Sequence, residues 1–160
     1  MFYRRRLPHW QEPGRSVFVT FRLHGSFPPR PDGPTWLALP EITKVVEEAL
    51  SHGQGLQYDL YAYVVMNNHV HALFYPKTDL TKIMQSLKSF TARRANAMLG
   101  RSGPFWQMES FDHWIRDLAE FRETADYIEN NPVRSGLVAR AEDFPWSSAG
   151  KAISIEKPAR

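Results

Sequence analysis

The chain has 160 residues and a net charge of +3, and 42% of it is apolar, which suits one domain with a packed core. It contains no cysteine, so disulfides and thiolate metal sites are excluded. No apolar run approaches the roughly 20 residues of a membrane span, and the N-terminus lacks the apolar core of a signal peptide. We therefore expect a cytoplasmic protein without a membrane partner. We expect residues 1–150 to form one domain, with a short tail at 151–160 and a loosely held chain after Phe144.

The first half of the chain predicts a strand, a helix and a hairpin. The segment SVFVTFRLHG (16–25) alternates and is rich in β-branched and aromatic residues, as strands are. After a proline-rich loop, LPEITKVVEEALSHG (39–53) has a proline near its start and a glycine at its end, which predicts a helix. Residues 58–75 predict two strands joined by Asn67 and Asn68, because asparagine tolerates the positive φ of tight hairpin turns.

The second half predicts two more helices and a fourth strand. Residues 78–99 form an amphipathic helix, whose apolar stripe consists of Leu80, Ile83, Met84, Leu87, Phe90 and Met98. A strand is expected near Asp112 to Ile115. A third helix follows, with Asp117 and Glu120 as a capping box and Pro132 as its end. The order β-α-β-β-α-β-α predicts an α+β, ferredoxin-like βαββαβ sandwich with an additional C-terminal helix. Such a sheet leaves one face available for function.

The segment VVMNNHVHALFY (64–75) places two histidines within an otherwise apolar strand. Because side chains alternate between the two faces of a strand, His69 and His71 share one face, whereas Val70 and Ala72 take the other. Two neighbouring imidazoles can ligate one divalent ion, with carboxamide, carboxylate or water as further ligands. The pair alone is equally compatible with two histidines that are exposed or hydrogen-bonded and hold no metal.

The third predicted helix presents a tyrosine and an amide away from its packing face. At ~100° per residue, its apolar stripe consists of Leu118, Phe121, Ala125 and Ile128. Tyr127 lies well away from this stripe, and Asn131 follows on the same face as Tyr127. Tyr127 is either an ordinary amphipathic side chain at a helix end or a nucleophile. A nucleophilic phenol, which titrates near ~10 when free, needs activation, and a metal ion that binds the electrophile would help. Asn131 is then a candidate third metal ligand.

Four motifs in this order resemble those of the REP-associated tyrosine transposases, which are single-tyrosine transposases of the HUH type (His–hydrophobic–His). The motifs are MNNHVHALF, SFTARRAN, PFWQMESFDHWIRD and YIENNPVRSGLV. The opening RRRLPHWQEPGRSVFVTFRLHGS is also similar to the start of that family, so the resemblance covers roughly Arg4 to Ser148. One His-x-His pair is weak evidence, whereas four ordered motifs at the expected separations are strong evidence.

The resemblance implies a ferredoxin-like fold, a divalent ion (Mg²⁺ or Mn²⁺) beside a histidine pair on a central strand, and a tyrosine on a helix. His69 and His71 match the metal ligands, and Tyr127 matches the nucleophile. Asn131 stands at the position of the polar third ligand, which is often glutamine in relatives. A second departure, MNNH in place of MPNH, is expected to affect only the turn.

The resemblance also implies that the substrate is single-stranded DNA near REP-like hairpins. Attack by Tyr127 on the scissile phosphate would give a 5′-phosphotyrosyl intermediate and a free 3′-hydroxyl. Reversal with another 3′-hydroxyl would rejoin strands without ATP. Related insertion-sequence transposases exchange the tyrosine helix within a dimer, whereas REP-associated members can work alone, and we favour a monomer here.

Two groups of basic residues are predicted to contact this DNA. On the second helix, a phosphate-binding row opposite the apolar stripe consists of Lys82, Ser86, Ser89 and Arg93. A solvated polar face is the commoner explanation of such a row. Near the N-terminus, Arg4, Arg5 and Arg6 form a basic arm suited to entering a groove or reading bases next to a hairpin, or only to solubility. His113 is a further candidate, although its aromatic neighbours favour a buried structural role.

Two other functions stay open on the sequence alone. A domesticated hairpin-binding protein would keep the fold without the chemistry, but His69, His71 and Tyr127 are all present. A metal-dependent hydrolase that uses water as its nucleophile would need more ligands than two histidines and an asparagine, and would not need Tyr127. Changing Tyr127 to phenylalanine distinguishes these functions, because it should abolish a covalent DNA adduct but spare a hydrolase that uses water.

Overall fold

A computed structural model describes residues 16–151, which form a four-stranded antiparallel sheet with helices on both faces. The strands are β1 (Val17–Arg22), β2 (Tyr58–Val65), β3 (His69–Pro76) and β4 (Phe111–Trp114). The helices are α1 (Pro40–Gly53), α2 (Leu80–Leu99), α3 (Leu118–Glu129) and the short α4 (Asn131–Arg134). In the described part of the chain, no helix combines the length and the apolarity needed to cross a membrane.

The topology confirms the predicted ferredoxin-like fold. The elements occur in the order β1-α1-β2-β3-α2-β4, and the strands lie side by side in the order β2-β3-β1-β4. The two central strands, β3 and β1, therefore carry the residues at the middle of the sheet. The predicted domain bounds of 1–150 extend beyond the described residues and stay a prediction.

The two faces of the sheet have different partners. On one face, α1 and α2 cover the main core, and the central strands contribute Val17, Val19, Phe21, Val70, Ala72 and Phe74. On the other face, α3 packs Phe121, Ala125 and Ile128 against the second core, as the spacing of these residues predicted. The histidine pair lies on this second face, since it alternates with Val70 and Ala72.

The predicted apolar stripe of α2 is correct at its start and wrong at its end. Ile83 and Leu87 are buried, but Phe90 is 39% exposed and Met98 is 48% exposed. Buried Thr91 and Ala95 face the core instead. The Thr91 hydroxyl donates to the Leu87 carbonyl and accepts from the Trp106 indole N–H at 2.8 Å, which satisfies this polar group inside the core.

The turn between β2 and β3 does not use the predicted positive φ at Asn67 or Asn68. Among the described residues, every positive φ belongs to a glycine. The turn is instead fixed by neighbouring backbone, because the Asn68 carbonyl accepts from the Leu23 N–H and the Asn67 carbonyl accepts from the Leu37 N–H. These tertiary hydrogen bonds hold the start of β3, where the histidine pair lies.

Helix α3 begins as predicted but ends earlier than predicted. The Asp117 side chain accepts from the Glu120 N–H at 2.8 Å, which is the expected N-cap. The Glu120 carboxylate, however, accepts from the Arg116 N–H rather than from that of Asp117. Pro132 does not end the helix. It lies in the first turn of α4, where a missing N–H costs no hydrogen bond.

Residues 145–151 are not loosely held, which corrects the expectation from the sequence for this part of the chain after Phe144; residues 152–160 lie outside the described residues. The Val65 N–H donates to the Trp146 carbonyl, and Val64 and Ser147 form a β-bridge. Buried Ser148 accepts from the Tyr63 N–H at 3.0 Å. The segment thus occupies the free edge of β2 and satisfies backbone groups that an edge strand leaves open.

Candidate active site

The histidine pair lies at the centre of the sheet face that α3 only partly covers. The register of β1 and β3 places Thr20 opposite His71 and Arg22 opposite His69. The two imidazole centroids are 4.8 Å apart. His71 is buried and His69 is half-buried. The shared face predicted from the sequence is therefore present, and both rings lie close enough to act on one ligand.

Both rings are oriented by hydrogen bonds at Nδ1. The Asn68 side-chain oxygen lies 2.7 Å from Nδ1 of His69 and accepts a hydrogen bond from its N–H. The Thr20 hydroxyl lies 2.8 Å from Nδ1 of His71. When the Thr20 hydroxyl likewise accepts a hydrogen bond from Nδ1–H of His71, both rings carry their proton on Nδ1. Nε2 of each ring then keeps its lone pair. This outer hydrogen bonding is typical of metal-ligating histidines, because it fixes the tautomer and the ring orientation.

Both imidazoles are neutral at physiological pH. Burial, and to a lesser extent the Arg22 cation, lowers the pKa of His69 from 6.5 to about 4. Burial also lowers the pKa of His71 to about 3, with smaller effects from His69, Arg22 and Arg134. The neutral imidazole is the form that ligates a metal ion, so neither ring has to lose a bound proton first.

Tyr127 of α3 lies beside the histidine pair, and its side chain is 46% exposed. Its ring centroid is 5.7 Å from that of His71. Phe18 of β1 contacts both rings, with centroids 5.4 Å from His71 and 6.1 Å from Tyr127. The apolar side of α3 packs on β2 and β3 and so delivers the phenol to the sheet face that carries His71.

Arg134 of α4 contacts both the ring and the backbone of Tyr127. Its guanidinium carbon is 4.2 Å from the centroid of the Tyr127 ring, and its Nη2 donates to the Tyr127 carbonyl at 3.0 Å. The sequence interpretation missed this residue, although it stands seven positions after Tyr127 within the quoted motif YIENNPVRSGLV. No local period predicts this contact, because Tyr127 and Arg134 belong to different helices that are separated at Asn130.

Asn131, the predicted third ligand, is buried and begins α4 one turn after Tyr127. The break at Asn130 between α3 and α4 means that the two side chains do not share one continuous helix. Within residues 16–151, no group of three or more His, Cys, Asp or Glu side chains could hold a metal ion. Two neutral imidazoles suit a divalent ion such as Mn²⁺, whose other ligands would be oxygen atoms.

The two residues of α2 that were predicted to contact DNA are not brought to this site. Lys82 and Arg93 are exposed on α2, which packs on the opposite face of the sheet. Arg4, Arg5 and Arg6 lie outside the described residues.

His113 and its strand are more exposed than predicted. The neighbours Phe111 and Trp114 are both exposed rather than buried. Nε2 of His113 lies 2.7 Å from the Glu120 carboxylate at the start of α3. This contact ties β4 to α3, so His113 has a structural role, but not through burial.

Several residues of the site emerge only from the strand register. Thr20, Arg22 and Phe18 alternate along β1 and face the same side as the histidines. The predicted strand at 16–25 contained all three, but its pairing partner was unknown from the sequence. The sheet face that carries the histidine pair thus combines two imidazoles, the phenol of Tyr127 and the guanidinium groups of Arg22 and Arg134. This set is suited to binding and attacking a phosphodiester.

A family model described as "Transposase IS200 like" matches residues 39–131, more than half of the chain. The chain belongs to this family. The match begins just before α1 and ends at Asn131, so it includes His69, His71 and Tyr127.

Two curated relatives of this IS200-like transposase chain are named as REP-associated tyrosine transposases. A candidate REP-associated tyrosine transposase of Haemophilus influenzae is 31% identical over 90 residues, covering 56% of this chain and 50% of that protein. A REP-associated tyrosine transposase of Escherichia coli is 28% identical over 95 residues, covering 57% and 54%. The chain thus spans about half the length of these relatives.

A solved structure of a REP-associated tyrosine transposase bound to a REP hairpin has the same fold. Its TM-score with this chain is 0.66, and the match covers 99% of this chain and 89% of that chain. The sequence identity is 20%, so this likeness supports the fold of the IS200-like chain and not its ligand.

Proposed function

We propose that this chain is a metal-dependent single-stranded DNA endonuclease and strand transferase that acts near REP-like hairpins through a 5′-phosphotyrosine. The observation that carries the proposal is the contact between Tyr127 and His71, which joins a candidate nucleophile to a candidate metal site. The membership of the IS200-like transposase family and the names of the relatives support DNA transposition as the wider function.

The metal would be held by Nε2 of His69, Nε2 of His71 and the side-chain oxygen of Asn131. A Mg²⁺ or Mn²⁺ ion held there would neutralise charge on the scissile phosphate. Thr20 and Asn68 keep the two imidazoles in position through their Nδ1 atoms.

Tyr127 would carry out the covalent step. Its phenol oxygen loses its proton and forms a bond to the scissile phosphorus, and the bond from phosphorus to the 3′-oxygen breaks. The leaving 3′-oxygen takes up a proton and becomes a free 3′-hydroxyl, while the 5′-phosphate stays on the tyrosine. Arg134 holds the Tyr127 ring through its guanidinium and also places a cation beside the reacting phosphate.

The substrate is inferred from the relatives and from the charge of the face. One relative of known structure is named as bound to a REP hairpin, and we propose the same class of DNA for this chain. Arg22 and Arg134 both supply positive charge close to His71, which suits a DNA backbone. Since Tyr127 and His71 of a single chain are already in contact, the proposal needs only a monomer.

The test uses a REP-like single-stranded hairpin labelled at its 5′ or its 3′ end, incubated with Mn²⁺ or with EDTA. After denaturing electrophoresis, we expect a protein–DNA adduct that needs Mn²⁺ and retains only the 3′ label. Tyr127→Phe should abolish the adduct, whereas the matched control Tyr75→Phe, on β3, should form it.

The same gel separates the two competing functions. Cleavage without an adduct, unaffected by Tyr127→Phe, would support a hydrolase that uses water. Binding with neither cleavage nor adduct, over several hairpins, would support a domesticated DNA-binding protein.

A further inference from the structure

A cleft of about 320 Å³ lies beside the histidine pair. It is formed by β1, the loop that follows β1, and the segment that leads into β4. Its lining residues are Thr20, Arg22, Phe27, Gln107, Glu109, Ser110 and Phe111. None of them was assigned a role from the sequence.

Two phenylalanines of the cleft are unusually exposed. Phe27 is 60% exposed and Phe111 is 58% exposed. The Arg22 guanidinium lies 5.6 Å from the centroid of the Phe27 ring. Exposed aromatic rings next to an arginine are the usual platform for nucleobases of a single strand, because every base offers a flat π-face for stacking.

The segment of residues 107–110, which leads into β4, lines the cleft with polar groups and is held in place. Gln107, Glu109 and Ser110 offer an amide, a carboxylate and a hydroxyl to the edge of a base. The Lys88 ammonium, from α2, donates to the carbonyls of Gln107 and Met108 and to the Ser110 hydroxyl, at 2.8, 3.1 and 3.0 Å. These three hydrogen bonds fix the segment, so its polar groups are pre-organised for a ligand.

The cleft is continuous with the candidate active site. Thr20 lines the cleft and also contacts Nδ1 of His71. Arg22 lines it and is paired with His69 in the sheet. Phe18 of β1 contacts both parts, because its ring centroid lies 6.1 Å from that of Tyr127 on α3 and 6.0 Å from that of Phe111 in the cleft. A strand whose phosphate lies at the histidines is therefore within reach of both Tyr127 and the cleft.

We propose that this cleft binds one unpaired nucleobase of the DNA strand next to the cleaved phosphate. The base stacks on Phe27 and Phe111, and Gln107 and Glu109 read its edge. Because Glu109 can only accept hydrogen bonds when ionised, it favours a base edge that donates. This inference rests on the proposed function, and it makes the cleft the part of the protein that selects the sequence at the cleavage site.

The experiment selects DNA from a pool of hairpins whose unpaired flanks are randomised. The parent is the full chain carrying Tyr127→Phe, which binds without forming an adduct. The parent is compared with versions that add Phe27→Leu, Phe111→Leu or the control Phe90→Leu, a partly exposed phenylalanine on α2 outside the cleft. Thermal melting of each variant checks that all four proteins are folded.

We expect the parent and the Phe90→Leu control to enrich a preferred base at one flank position. Phe27→Leu and Phe111→Leu should lose that enrichment and bind the selected DNA about five- to tenfold more weakly, as loss of base stacking predicts. In the parent, 2-aminopurine at the same position should lose fluorescence on binding, and this quenching should weaken in both cleft variants.

Equal enrichment and equal affinity in all four proteins would overturn the cleft assignment and leave the proposed function standing. A loss of the same size in Phe90→Leu would overturn it as well. Failure of the parent to retain any hairpin DNA would overturn both the cleft assignment and the proposed function.

Discussion

The ring centroid of Tyr127 lies 5.7 Å from that of His71, although one residue belongs to a helix and the other to a central strand far away in the sequence. The packing of α3 on the sheet creates this contact, and no local motif does. The contact brings two separate sequence features together, so that a phenol lies beside the candidate metal-ligating pair.

Thr20 should control metal affinity through His71. Thr20→Val keeps the shape of the side chain but removes the hydroxyl that lies 2.8 Å from Nδ1 of His71. We expect Mn²⁺ affinity to fall about tenfold, as for other partners of metal-ligating histidines. Thr20→Ser should keep most of the affinity. Isothermal titration calorimetry gives the Kd for Mn²⁺ of both variants. An unchanged Kd in Thr20→Val would show that Thr20 does not support metal binding through His71.

Arg134 should affect the rate of the covalent step more than DNA binding. Arg134→Met removes the cation over the Tyr127 ring and the hydrogen bond to its carbonyl. We expect adduct formation to slow by about tenfold. Arg122→Met, a change at an exposed arginine of α3, is the control. Single-turnover gels at saturating DNA give the rates, and equal rates for the two variants would contradict the role of Arg134.

Glu120 should make stability depend on pH in the acid range. The Arg116 N–H, followed by hydrogen bonds from His113 and the Arg116 side chain, lowers the pKa of Glu120 from 4.5 to about 2. A lowered folded-state pKa stabilises the protein above the unfolded pKa, and this contribution is lost as the pH falls towards 2. The difference in unfolding free energy between wild type and Glu120→Gln should thus be constant above about pH 5.5 and shrink below it. Urea denaturation at several pH values measures it, and a difference that grows in acid would contradict the assignment.

Ser148 should stabilise the C-terminal segment on the edge of β2. Its hydroxyl accepts from the Tyr63 N–H at 3.0 Å and lies 2.5 Å from the Glu129 carboxylate. Ser148→Ala leaves the buried N–H without its partner, and we expect a loss of roughly 1–3 kcal/mol in unfolding free energy. Ser102→Ala, in an exposed loop, should change it by less than about 0.5 kcal/mol. Equal urea midpoints for the two variants would show that this hydrogen bond contributes little.

The residues that were predicted correctly obey a local period. The two-residue period of a strand places His69 and His71 on one face, and the helical period separates Tyr127 from the packing residues of α3. The order of the elements was sufficient for the ferredoxin-like topology, because the prolines, glycines and caps that separate them are readable locally.

The residues that were missed or misplaced depend on tertiary contacts. Thr20 and Arg22 join the site only through the register of β1 with β3. Phe90 fits the helical period of α2 yet is exposed. At this point of the helix, Thr91 faces the core instead and forms a hydrogen bond with Trp106. The segment after Phe144 lacks a strong periodic pattern, and its order comes from hydrogen bonds to β2 that no local pattern encodes.

The most direct test of the central claim is to identify the residue that carries the DNA. The full chain is incubated with a REP-like hairpin and Mn²⁺, digested with trypsin and a nuclease, and analysed by tandem mass spectrometry. We expect a 5′-nucleotide on the peptide that contains Tyr127, at the phenol oxygen, and none when EDTA replaces Mn²⁺. A nucleotide on any other residue, or cut DNA with no modified peptide, would contradict it.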